Sequence, residues 1–343
     1  MAPNNGIKVG DSNNSHRSNI DSTPPSSNNS SNNNLVEEQE GLYVEAPPSQ
    51  PILPPPSLRR GCCGCPPVRH VKHAPAFQHV PHIKLGYRVG FSVRNCLVSV
   101  FTFHNESINI WSHLSGTVYV LYALSCFLRM DGLHVNIDDS EYKAILTFLL
   151  CAVACLSFST CYHTFGCMSE NMFKLLLRVD LIGIALLIWG SYVPGIHYAF
   201  ACFPRWQRVY HFLTLLLLLL GLGGAALTDT HCPRQSLVRT GTFALLVTFG
   251  LVPSLHWCML VPAHVRAIFL DNLIGMFSSY SLGFCLWASR FPERFFPQTP
   301  LLGLWFSSHQ LWHMCIFMAV KIWLAGILEM HMALHEMGCE LLS

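Results

Sequence analysis

His309 and His313 stand four residues apart in an apolar stretch, His309-Gln-Leu-Trp-His313. On a helix, residues i and i+4 share one face, so both imidazoles project together. A two-imidazole clip on one helix plus a third histidine from another matches the His₃ set of catalytic zinc, with water in the fourth position. His163 is the candidate third ligand, and Ser159 lies one turn before it on the same face. No carboxylate completes a facial triad with two of these histidines, which favours zinc over iron. Asp180, at the start of the next apolar stretch, is placed to hold a water on the metal or to take its proton. Ser159 could bond to the same water or to an incoming substrate. A plainer reading stands beside this one. HxxxH pairs arise by chance, and next to Trp305 and Trp312 the rings could be interfacial or core histidines.

Glu106, Asn109 and His113 share a face by i, i+3, i+7 spacing. They read either as a capping and hydrogen-bond network under the site or as ordinary interfacial polar residues. His197 and His256 have no comparable partners and read as structural.

The elements that must position these groups are apolar. The chain has 343 residues, of which 51% are hydrophobic and only 12% charged, against about a quarter charged in a soluble domain. The deficit points to lipid as the main solvent. Seven apolar stretches, at about 110–128, 144–165, 179–200, 211–228, 239–259, 267–288 and 304–325, mostly approach the ~20 residues of a helical span. The expected fold is an all-α membrane protein with seven transmembrane helices. Parity alone then brings the start of the first span, the end of the second and the starts of the third and seventh to one leaflet, and these ends carry His113, His163, Asp180 and His309. Polar groups in spans are costly and therefore functional candidates.

Lys and Arg set orientation. The flank before the first span holds Arg59, Arg60, Arg69, Lys72, Lys84, Arg88 and Arg94, which predicts a cytosolic N-terminus, a C-terminus outside or in the lumen, and a site on the cytosolic side. The sequons at Asn13, Asn28, Asn29 and Asn105 would then stay unglycosylated. Residues 1–76 are expected to be a disordered Asn/Ser/Pro-rich tail closed by a basic Cys-rich stretch, with no apolar segment of signal-peptide type in the first 60 residues. Residues 77–109 suit an amphipathic juxtamembrane segment, residues 110–325 the core, and 326–343 a short tail. Cys62, Cys63 and Cys65 are candidates for acylation or metal binding. Cys126, Cys151, Cys155, Cys258, Cys285 and Cys315 sit singly in apolar runs and read as small hydrophobes. A formal net charge of +2 gives no footprint for nucleic acid; membrane lipids are the expected surroundings.

Glu106-Ser-Ile-Asn109-Ile-Trp-Ser-His113 resembles the ExxNxxxH motif of the progestin and adipoQ receptor (PAQR) family, and Ser159-Thr-Cys-Tyr-His163 resembles its SxxxH motif. Arg178-Val-Asp180, Pro292-Glu-Arg-Phe-Phe-Pro297 and Ser307-Ser-His309-Gln-Leu-Trp-His313 are similar to its third-span aspartate segment, a loop and the HxxxH of its last span. The resemblance covers about residues 77–325. It implies seven helices, a cytosolic N-terminus and a buried zinc held by His163, His309 and His313, with Asp180 contacting the zinc-bound water and Ser159 belonging to the same motif as His163.

Within the family, the chain looks most like its Raf-trapping, Golgi-resident branch and next most like its adiponectin-receptor branch. The first implies a Golgi tether whose cytosolic N-terminal region holds Raf kinase and damps the MEK–ERK cascade. The second implies a receptor with zinc-dependent hydrolase activity on ceramide, at the plasma membrane as the alternative address. The long polar tail and Cys-rich stretch depart from the Golgi branch in the region where a Raf-binding surface would lie. No retention signal is legible at Cys339-Glu-Leu-Leu-Ser343.

Overall fold

Backbone groups have no water to bond in a bilayer, so an apolar chain of this kind satisfies them within helices. The computed structural model describes residues 66–129, 138–227 and 232–339. The tail before residue 66, with Asn13, Asn28, Asn29, Cys62, Cys63 and Cys65, and the last four residues lie outside the described residues. The helices are α1 (Val93–Ser99), α2 (Ser107–Leu128), α3 (Asp139–Phe165), α4 (Glu170–Ala199), α5 (Pro204–Ala225), α6 (Pro233–Thr248), α7 (Leu251–Leu260), α8 (Ala263–Ser289), α9 (Pro300–Trp305) and α10 (Ser308–Met337). The described residues pair as β-structure only in an isolated bridge, Arg69 to Tyr87.

Among the described residues, five stretches are long and apolar enough to cross a bilayer: Asp139–Phe165, Pro204–Ala225, Pro233–Leu260, Ala263–Ser289 and Leu301–Glu336. α2 and α4, of 22 and 30 residues, bury polar groups inward, among them Asn109 and His113 on α2 and Asp180 on α4. On α2 the buried positions Asn109, His113, Gly116, Thr117 and Val120 recur at three and four residues, the period of one helix face. α5 turns Phe212, Leu215, Leu216, Leu219 and Leu220 outward, as a lipid-facing helix should.

α4 packs on α3 and α5, and α10 packs on α8 and α2. The α3–α4 contact is close because of Gly183, where an added Cβ would stand 2.9 Å from the Cα of Cys155; small residues allow such approach in membranes. Since Asp180 lies three residues from Gly183 and Ser159 four from Cys155, this contact sets the carboxyl and the hydroxyl side by side.

The chain before α2 packs onto one end of the bundle, called here the site end. Before α2 starts at Ser107, the α-helix of this segment is Val93–Ser99, which buries Cys96 and Ser99; Val93, Leu97, Phe101 and Phe103 face outward. Gly86 makes the turn at φ +92 and accepts a hydrogen bond from the Asn105 N–H at 3.2 Å. A Cβ there would meet the Asn105 nitrogen at 2.7 Å, so glycine fits on both counts. At the far end, Cys202 of the α4–α5 link is bonded to Cys339, a pair that the sequence reading did not single out. The six cysteines read as small hydrophobes are free. α10 continues past residue 325, so the far end carries two more histidines, His331 and His335.

Candidate metal centre

α10 begins where two neighbours satisfy its free N–H groups. Ser307 and Gln310 form a capping box, and Gln310 Nε2 also donates to the Asn105 and Leu304 carbonyls at 3.0 Å each. The Ser308 N–H donates to Glu293 Oε2 at 2.7 Å, and its hydroxyl donates to the other carboxylate oxygen. A buried carboxylate at a helix N-terminus is favoured by both the free donors and the helix dipole. Glu293 thus fixes the start of the histidine helix. Sequence reading met it only inside a motif, without this role.

His163, His309 and His313 converge, each offering a ring nitrogen within 4.8 Å of the others'. His163 and His313 are buried and His309 is partly buried. His163 Nε2 lies 3.4 Å from His309 Nε2. On its other side, His163 Nδ1 lies 2.7 Å from Glu106 Oε2. A carboxylate only accepts hydrogen bonds, so Nδ1 donates to it and Nε2 is turned toward His309. Asn109 Nδ2 donates to the same Glu106 oxygen at 2.5 Å. His313 Nδ1 faces α2, 3.4 Å from the Asn109 carbonyl and 3.5 Å from Ser112 Oγ. The His113 ring stacks on His313 with centroids 3.7 Å apart, and neither of its ring nitrogens has a hydrogen-bond partner among the described residues. The Glu106, Asn109 and His113 set therefore lies directly against the histidines.

Asp180 and Ser159 are both buried. The Asp180 carboxyl lies against the Ser159 hydroxyl and within electrostatic reach of His163. It is not among the grouped potential ligands. Of the other histidines, His256 Nδ1 bonds to Tyr210 Oη at 2.8 Å, and His197 packs edge-on against Tyr198; neither approaches this centre's grouped ligands.

The segment before α2 closes the centre. Arg88, which sequence reading counted only as part of a basic flank, is fully buried. Its Nη1 donates to Ser99 Oγ and the Thr164 carbonyl at 3.0 Å each, and its Nη2 donates to the His163 carbonyl. Those are last-turn carbonyls of α3, which lack helical partners and favour a cation. The signal in sequence was an arginine near a motif, with nothing to say that it turned inward. Burial pushes the Tyr87 phenol up to about 12 and holds the His104 ring well below its ordinary value. A cleft reaches the centre, and Phe77, Tyr162, Phe173, Arg88, Glu106 and His163 are among the residues that line it.

The donor set fits zinc: three imidazoles, at least one with its outer nitrogen held by a carboxylate, as metal-bound histidines commonly are. The family model described as haemolysin-III related matches residues 101–324, which include all three histidines. This chain belongs to the progestin and adipoQ receptor family. It is 31% identical over 266 residues to progestin and adipoQ receptor family member 3 of Mus musculus, covering 76% of this chain and 84% of that one. It is 32% identical over 271 residues to progestin and adipoQ receptor-like protein 1 of Caenorhabditis elegans, covering 75% and 61%. It is also 32% identical over 269 residues to the adiponectin receptor protein of Drosophila melanogaster, covering 77% and 60%. The chain thus spans about three-fifths of the worm and fly relatives. As a family member with five bilayer-length apolar helices, it is an integral multi-pass membrane protein.

Proposed function

We propose that this chain is a seven-span membrane protein that holds zinc between His163, His309 and His313 at its cytosolic end and hydrolyses a lipid amide of the ceramide kind there. The observation that carries the reading is the Glu106–His163 contact at 2.7 Å, which points the ring's other nitrogen into the histidine cluster. α2 and α4, of 22 and 30 residues, are long enough to add two spans to the five apolar stretches. The disulfide at the far end suits an oxidising compartment. With the basic N-terminal flank, this supports a cytosolic N-terminus and a lumenal or outside C-terminus.

Zinc, when bound, supplies Lewis acidity toward an amide carbonyl. Asp180 takes a proton at its carboxylate from the attacking water and passes it to the departing amine, leaving a fatty acid and a free amine. Ser159, against that carboxyl, orients it. Glu106 and Asn109 hold the His163 ring. The cleft is lined by both aromatic and polar side chains, which suits an amphipathic substrate.

In the second reading the chain is a tether, foremost at the Golgi membrane. It would hold Raf kinase through the cytosolic N-terminal region and damp MEK–ERK signalling, with zinc structural. The outward row Val93, Leu97, Phe101 and Phe103, beside a basic flank, favours it as a membrane-surface platform. One assay separates the two: zinc content and ceramide turnover of the detergent-purified full chain, beside His309→Ala/His313→Ala. About one zinc per chain at this centre, lost in the variant together with turnover, is expected. Zinc lost with no turnover in either protein would leave the tether, and no zinc in a folded wild type would remove the metal centre.

A further inference from the structure

The far end carries a second convergence. α3 begins with a capping box in which the Asp138 side chain accepts from the Glu141 N–H while the Glu141 carboxylate accepts from the Asp138 N–H. That places Glu141 inward, where it is buried, and its ion-pair partners among the described residues are both histidines of α10. His335 Nε2 lies 3.0 Å from Glu141 Oε2, and His331 Nδ1 lies 3.7 Å from the same oxygen. The two imidazoles are i and i+4, with ring centroids 4.5 Å apart. All three side chains present a potential ligand atom within 4.8 Å of one another. Tyr198 Oη stands 3.3 Å from His331 Nδ1. The His331 side chain is fully buried, and its Nε2 has no protein partner.

A buried carboxylate costs several kcal/mol unless a cation or good hydrogen bonds meet it. Among the described residues, no Lys or Arg forms an ion pair with Glu141. Two imidazoles from one helix plus one carboxylate from another form the His₂Glu donor set of zinc sites that leave a position to water. The His335 side chain is 29% exposed, so the cluster is not sealed within the bundle. The Cys202–Cys339 bond, four residues beyond His335, ties down the end of α10.

We propose that Glu141, His331 and His335 form a second, exchangeable site for a zinc-type divalent cation, at the lumenal or outer end of the bundle. It clamps the start of α3 to the end of α10 and is filled from solution independently of the buried centre.

The test uses the full-length chain in nanodiscs, stripped with chelator and titrated with Zn²⁺ alone. Four proteins are compared: wild type, Glu141→Gln, His331→Ala/His335→Ala and His309→Ala/His313→Ala. Glutamine keeps an acceptor for the capping box, so Glu141→Gln tests the charge without removing the cap. Wild type should bind two ions, and each of the first two variants should lose the weaker one, its dissociation constant rising at least about tenfold. His309→Ala/His313→Ala should keep it. One ion in wild type and none in the far-end variants would support this site while removing the buried centre. Far-end variants that fold and bind Zn²⁺ as wild type does would overturn the proposal, whatever the buried centre does.

Discussion

α10 carries a histidine pair at each end, yet the two ends are held differently. At the site end, His309 and His313 meet His163, which is backed by Glu106 and Asn109. Glu293 fixes the start of the helix and Arg88 fixes the end of α3. Hydrogen bonds from several separate segments thus meet on one buried cluster. At the far end a single carboxylate faces His331 and His335, and the restraint is a covalent bond between Cys202 and Cys339. The contrast suggests two ways of placing ligands. A network of directional bonds holds a buried group in one geometry. A covalent tie restrains the chain while leaving a side chain open to solvent.

The strongest way to break this comparison is to remove the arginine of the site end. Arg88→Leu keeps bulk but leaves the His163 and Thr164 carbonyls and Ser99 Oγ without their donor. Several charge-assisted bonds at a helix C-terminus should be worth about 3 kcal/mol. The variant should lose monodisperse protein at a clearly lower temperature in a size-exclusion thermal challenge. A melting profile matching wild type would show that the segment before α2 is not part of the restraint.

A smaller effect sharpens the role of Glu106. Glu106→Gln still places an acceptor near His163 Nδ1 but removes the charge. Zinc affinity should fall about 10- to 100-fold, with helix content unchanged by circular dichroism. Unchanged affinity would mean that the carboxylate does not orient the ring.

The parts of this arrangement legible in sequence were those set by period and parity. HxxxH puts His309 and His313 on one face of any helix, and alternating spans bring His163 and Asp180 to the same end as that pair. The helices of the structure follow the apolar stretches because burial of their backbone requires it. Less legible was whatever depends on a turn of irregular chain. Arg88 reads as one of many cations on a flank until Gly86 turns its neighbour inward. Glu293 reads as a loop charge until α10 is seen to start against it. His331 and His335 lay beyond the stretch read as the last span, because Glu329 and His335 lower its hydropathy while the helix continues. Cys202 and Cys339 are 137 residues apart, and pairing at that range leaves no local pattern.

Two cysteine pairs offer the mildest test of the difference between the ends. Cys96 Sγ and Cys167 Sγ lie 3.6 Å apart at the site end without a disulfide between them, while Cys202 and Cys339 are bonded at the far end. The hydrogen bond with Cys96 holds the Cys167 thiol below its ordinary value, against the opposing effect of burial. A lowered value means more thiolate at a given pH, so iodoacetamide should label Cys167 at lower pH than an ordinary thiol. Cys96→Ala removes the hydrogen bond and leaves burial unopposed on that count, so the labelling profile should move to higher pH. Peptide mass spectrometry without reductant should find Cys167 labelled, with Cys202 and Cys339 protected until the disulfide is reduced. A profile that stays in place in Cys96→Ala would detach Cys167 from Cys96. Labelling of Cys202 before reduction would remove the covalent restraint, and with it the contrast between the two ends of α10.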